Sequence, residues 1–124
     1  MHIGTSGYSY SDWVGPVYPE GTPSSRFLEL YARQLDFVEL NFSYYAMPRA
    51  EQLARMAERT PEGFCFAIKG HRTMTHERDP EIALRDARSF RQAVRVLQEN
   101  GRLAAVLLQF PYSFHYEADS RRYL

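Results

Sequence analysis

Four polar side chains stand where apolar runs end. Glu39 and Asn41 close "DFVELNF", Lys69 closes "GFCFAIKG", and Gln109 closes "LAAVLLQFP". A lysine ammonium can hold an oxyanion or phosphate, and a nearby carboxylate can orient it or act as a general base. Asparagine and glutamine amides can fix a ligand by hydrogen bonds. Lys69 is the one lysine among fifteen basic residues. A base-composition bias can make lysine rare, so its position carries the argument. A Schiff base at Lys69 is chemically available, but nothing in the sequence points to a carbonyl substrate.

His71 and His76 follow Lys69, with Thr75 and Glu77 beside the second. Histidine at the carboxyl end of a strand can be an acid/base group or a metal ligand. His71, His76 and Glu39 match no known ligand spacing, so no metal is assigned, and the cofactor is left open. Solvated loop histidines are the commoner case. Cys65, deep in its apolar run with no activating neighbour, reads as a small buried hydrophobe. Arg85, Arg88, Arg91 and Arg95 form a helical stripe, which reads as a solvated face before a phosphate site.

The elements that must position these groups alternate. Strands are predicted at Ile3–Ser6, over "DFVELNF", over "GFCFAIKG" and over "LAAVLLQFP". Helices are predicted from Pro23, with Thr22 as N-cap, and between Pro48 and Arg59. The clearest helix starts at Pro80 under an Asp79 cap and ends at Asn100-Gly101, and a last one starts near Ala118. Its apolar stripe is Ala83, Ala87, Phe90, Val94 and Leu97. The order β-α-β-α-β-α-β implies a parallel α/β sheet with right-handed crossovers. It is either a doubly wound open sheet or part of a (β/α)8 barrel. No GxGxxG turn follows the first strand, which weakens the dinucleotide-binding form. A barrel usually needs about 250 residues, so this chain supplies half of one.

Strand side chains alternate in direction. Val38 and Leu40, then Phe64, Phe66 and Ile68, then Val106, Leu108 and Phe110 form apolar sides suited to helices. The opposite sides carry Glu39 and Asn41, Lys69, and Gln109, always toward the carboxyl end. Parallel strands gather those ends on one rim, where α/β folds bind ligands. Lys69 and Glu39 are expected to form a pair there.

Aromatic residues crowd the same rim. Tyr8, Tyr10, Trp13 and Tyr18 follow the first strand, Phe42, Tyr44 and Tyr45 the second, and Tyr112, Phe114 and Tyr116 the fourth. Such rings suit sugars or bases, or they build a small core for a long loop.

The totals limit the function classes. The length of 124 residues is one domain, with fifteen acidic and fifteen basic residues. Neutrality argues against a general nucleic-acid binder. One cysteine forbids an intrachain disulfide. The start "MHIGTSGYSY" lacks the pattern of a secretory signal, and no run reaches the roughly 18 apolar residues of a membrane span, so a cytoplasmic protein is expected.

The stretches "IGTSGYSYSDWVGPVYP", "VELNFSYYAMP", "TPEGFCFAIKGHRTMTH" and "VLLQFPYSF" resemble, in order and spacing, the YecE-like proteins, the family of domain of unknown function 72. The resemblance covers almost the whole chain. It implies a TIM barrel about twice this length, whose activity is not established. The family's polar positions fall on Gly4, Thr5, Ser6, Gly7, Asp12, Trp13, Glu39, Asn41, Tyr45, Lys69, Thr75, His76 and Gln109. Tyr8 replaces the family's usual Trp, and Tyr112 replaces a frequent second Pro. A later Arg-His motif followed by Ser-Trp has no counterpart here.

Together these readings predict the N-terminal half of a YecE-like TIM barrel acting on a small polar or phosphorylated ligand. Lys69 would stabilise negative charge, Glu39 would orient it or act as base, and His76 would be an acid/base group. Asn41, Gln109, Tyr45, Trp13, Thr5, Ser6, Thr75 and His71 would bind. The alternatives are a non-catalytic module stacking nucleobases or sugars on Trp13, Tyr45 and Tyr112, with nucleic acid the less supported partner, or an inactive half barrel that pairs as a homo-oligomer.

Overall fold

A computed structural model describes residues 1–124. Four strands, β1 (Gly4–Ser6), β2 (Phe37–Leu40), β3 (Cys65–Lys69) and β4 (Leu103–Leu107), form one sheet in the order β1-β2-β3-β4. All neighbours are parallel. The helices are α1 (Phe27–Tyr31), α2 (Phe42–Tyr45), α3 (Ala50–Glu58), α4 (Pro80–Glu99) and α5 (Ala118–Tyr123). The predicted β/α alternation and parallel sheet are therefore present. Sequential order with no strand inserted between others is the order of four successive units of a (β/α)8 barrel, and it is not the order of a doubly wound sheet.

The register sets the two faces. Val38 is level with Phe66, and Leu40 with Ile68. These four are nearly fully buried, under α1, α3 and α4. The core continues through Phe27, Leu28, Tyr31, Leu53, Phe90, Val94 and Leu97. Full burial of each such side chain contributes about 1.5–3 kcal/mol before chain entropy is subtracted. The opposite, inner face carries Ser6, Glu39, Ala67 and Ala105 on one level across the four strands. β1 meets β2 closely: a Cβ on Gly4 would come within 1.8 Å of the Phe37 carbonyl oxygen, so only glycine fits.

Local signals acted as expected at α4. The Asp79 carboxylate accepts from the backbone N–H of Glu81 and Ile82, both at 3.0 Å, and Pro80 opens the helix. At α1 the structure differs. A 3-10 turn, Ser24–Arg26, precedes the helix, and Thr22 does not cap it. The Thr22 hydroxyl instead donates to the Pro19 carbonyl at 2.6 Å, closing its own turn.

The fourth strand also departs from expectation. It ends at Leu107, two residues short of Gln109. Its helix-side residues are not covered: Val106 is 42% exposed and Leu108 48%. An apolar groove of about 750 Å³ runs there, between Leu84 and Ala87 of α4, Leu108, Phe110 and Tyr123 of α5. α4 crosses from β3 to β4 and covers the near side of β4 only. At the other end of the sheet, Arg102 ties elements together: its guanidinium donates to the carbonyls of Ala57, Thr60, Pro61 and Phe64. No helix is long and apolar enough to cross a membrane.

Candidate functional site

Ser6, at the end of β1, reaches across to β2. Its hydroxyl donates to Glu39 Oε1 at 2.8 Å and accepts from Asn41 Nδ2 at 2.7 Å. The three residues thus form one directed hydrogen-bond chain on the inner face. Gly7, with φ of 86°, turns the backbone immediately after β1, and its N–H donates to the Glu39 carbonyl at 2.9 Å. The Tyr10 hydroxyl donates to the Ser6 carbonyl.

Lys69 does not pair with Glu39. The register explains why: Glu39 is level with Ala67, so Lys69 lies two residues further along, about 7 Å toward the rim. No carboxylate lies within ion-pair distance of the Lys69 ammonium. Its Nζ instead stands 4.8 Å from the centre of the Tyr44 ring. Such a cation–π contact is worth about 0.5–1 kcal/mol where water reaches it and leaves the charge unneutralised. Lys69 is half-buried, and its unpartnered ammonium is not fully enclosed.

Tyr44 is held by α2, the short helix between β2 and α3. The buried Ser43 hydroxyl donates to the Lys69 carbonyl at 2.6 Å and lies 3.2 Å from the Leu40 carbonyl, so it pins α2 across the ends of β2 and β3. The Tyr44 ring then meets Lys69 on one side and the edge of the His76 ring at 5.1 Å. His76 lies in a single π-helical turn, Thr73–Glu77, closed by the Arg78 N–H on the Thr73 carbonyl at 3.1 Å. Turns of this kind recur at functional sites. The buried Thr75 hydroxyl bonds His76 Nδ1 at 2.9 Å and fixes the ring. The sequence counts Tyr44 among the rim aromatics, but neither its contact with Lys69 nor the role of Ser43 stands out by type. The signal that could have found them is "NFSYY" placed directly after a strand end.

His71 bonds a different set. Its Nδ1 lies 2.9 Å from the Thr73 hydroxyl, which donates to Asp86 Oδ2 of α4 at 2.9 Å. Burial works to raise the Asp86 carboxyl. The hydrogen bonds from Thr73 and Arg85 and the positive charge nearby outweigh it and hold the group below the usual carboxylate range.

Other candidates stand apart. Thr5 is level with Val38 and faces α1; its N–H donates to the Tyr31 hydroxyl at 2.8 Å and its own hydroxyl donates to the Gly7 carbonyl. Trp13 packs between Tyr10, at 4.9 Å between ring centres, and Tyr31, stacked at 6.4 Å. With Tyr18 it makes the small core of the long loop after β1. Burial, aided by the neighbouring Tyr31 and Tyr8, pushes the Tyr18 hydroxyl up to about 12, so it stays protonated and donates to the Tyr8 carbonyl. Gln109 follows the end of β4 and is exposed. Tyr45 is 74% exposed and Tyr112 97% exposed, but Trp13 does not join them. His71, His76 and Glu39 are not gathered into a group that could hold a metal ion.

With the rim described, known proteins can be set beside it. The family model for the protein of unknown function DUF72 matches residues 2–124. The chain belongs to the DUF72 family. The UPF0759 protein YunF of Bacillus subtilis is 30% identical over all of this chain and 44% of its own length. The UPF0759 protein YecE of Escherichia coli K12 is 35% identical over 62% of this chain and 26% of its own. Among solved structures, a DUF72 family protein from Thermotoga maritima superposes with a TM-score of 0.84 at 36% identity, covering 98% of this chain and 48% of that one. One from Enterococcus faecalis gives 0.82 at 23% identity, covering 98% and 44%. The chain spans less than half the length of these relatives.

Proposed function

We propose that the chain supplies one half of a ligand-binding rim in a TIM-type barrel, and that the ligand is a small polar molecule carrying a phosphate or carboxylate. The observation that carries this reading is the ammonium of Lys69, half-buried on the inner face with no carboxylate partner. A cation with no carboxylate partner favours an anion. Tyr44 orients it without cancelling its charge, so its field remains available to a ligand. The Ser6–Glu39–Asn41 chain, rising from Glu39 about 7 Å lower to Asn41 near the level of Lys69, offers a carboxylate and an amide to ligand hydroxyls. His76, bonded by Thr75 and packed against the same Tyr44 ring, is the proton carrier of this reading.

This reading assigns Glu39 to hydroxyl binding or general-base work. Orienting Lys69 is left to Tyr44. Stacking of bases or sugars loses support because Trp13 is occupied by the loop core. Whether the rim performs a reaction depends on what faces it, since the matched relatives are about twice as long. The test is a thermal-shift screen with phosphorylated and carboxylated sugars and acids on wild type and on Lys69→Met. Anionic compounds should stabilise wild type and not the variant. Equal stabilisation of both would refute the assignment.

A further inference from the structure

Asp86, Thr73 and His71 form a second directed chain that neither the anion reading nor the fold requires. A threonine hydroxyl has one proton, and an ionised carboxylate only accepts. The Thr73 hydroxyl lies 2.9 Å from Asp86 Oδ2 and donates to it. The same oxygen lies 2.9 Å from His71 Nδ1, so that bond must take its proton from the ring. The Thr73 N–H also points at Nδ1, at 3.4 Å, a longer and weaker approach than the two 2.9 Å contacts, which outweigh it. The ring proton therefore belongs on Nδ1, and Nε2 of the neutral ring keeps its lone pair. Nε2 has no partner within the chain. Because no buried side-chain nitrogen lacks one, Nε2 of this half-buried ring is open to solvent.

We infer that His71 is a proton acceptor at the rim, held in the Nδ1–H form by Thr73 and Asp86, for a hydroxyl or ammonium proton of the ligand. This deepens the reading of an anion-binding rim and rests on it for the ligand. In the step proposed, the ligand X–H bond breaks, the Nε2–H bond forms, and X keeps the electron pair. The imidazolium keeps its Nδ1–H, donating it as a hydrogen bond to the Thr73 oxygen, whose own proton stays turned toward the ionised Asp86. Lys69, two residues earlier in the chain, supplies the positive charge for the anion left on X. Arg85, which bonds Asp86 Oδ1 at 3.0 Å, keeps that carboxylate ionised. Of the other charges on and flanking this turn, Arg72 and Glu77 pair with each other at 3.0 Å, and Arg78 stands over the Phe114 ring at 5.1 Å.

The experiment is nitrogen-15 spectroscopy of the histidine rings across a pH titration, without ligand. Neutral His71 should be protonated on Nδ1. Asp86→Asn, whose amide can donate to Thr73 and free the hydroxyl proton for Nδ1, should raise the population of the Nε2–H form. Thr73→Val should raise the population of the Nε2–H form, and Thr73→Ser should restore the wild-type pattern. A wild-type ring protonated on Nε2 overturns the inference whether or not the variants fold. So does an unchanged tautomer population in a folded Asp86→Asn. None of these readouts involves Lys69 or a ligand, so failure here leaves the anion screen standing, and failure of the screen leaves this result readable.

Discussion

Lys69 shows what residue phase can and cannot give. Alternation along β3 puts it on the inner side with Cys65 and Ala67, and the register agrees. Its partner is another matter, because pairing depends on stagger between strands, which no single strand encodes. Glu39 is level with Ala67, so the expected ion pair becomes a cation–π contact with Tyr44. The same limit applies to Trp13, whose ring type suits a ligand and a loop core equally well. We expect Lys69→Met to keep the fold, with a change in stability of no more than about 1 kcal/mol in urea denaturation, because the ammonium loses one cation–π contact and no ion pair. A larger loss would mean that the ammonium is structural.

At the scale of elements, patterns with a local cause were legible. Asp79-Pro80 opening α4 and Asn100-Gly101 closing it are one-turn effects. α2 was hidden because four residues carry no helical period, and its position depends on Ser43 reaching the Lys69 carbonyl of a neighbouring strand. Ser43→Ala should cost about 1 kcal/mol in urea denaturation, the usual net worth of a hydrogen bond, and should loosen Tyr44 from Lys69. Loop anchoring also depends on pH. Asp36, held low first by the Ile3 N–H and also by His2, and Asp86 both have carboxyls below their usual range. A lowered folded value adds stability above the ordinary aspartate value of about 4, and that stability is lost as pH falls through the folded value. Unfolding midpoints in urea should therefore drop between pH 6 and about pH 3, and drop less in Asp86→Asn. An unchanged slope in that variant would remove Asp86 from the account.

At the scale of the molecule, the order of elements was legible because β/α alternation leaves few topologies. Coverage was not. Leu108 and Val106 read as helix-facing and do face that way, yet half of each stays exposed, because α4 reaches only the near side of β4. The native chain should bind a hydrophobic dye in this groove, and Leu108→Asp should weaken the signal without unfolding the protein. The opposite pole is knit by Arg102, which is hydrogen-bonded to four carbonyls, and Arg102→Ala should cost about 2–3 kcal/mol of stability. The central claim remains the rim, and backbone amide spectra during titration with inorganic phosphate test it most directly. The account predicts shifts confined to Asn41, Tyr44, Lys69, Thr75 and His76, abolished by Lys69→Met. Shifts that survive that substitution, or that fall elsewhere on the chain, would contradict it.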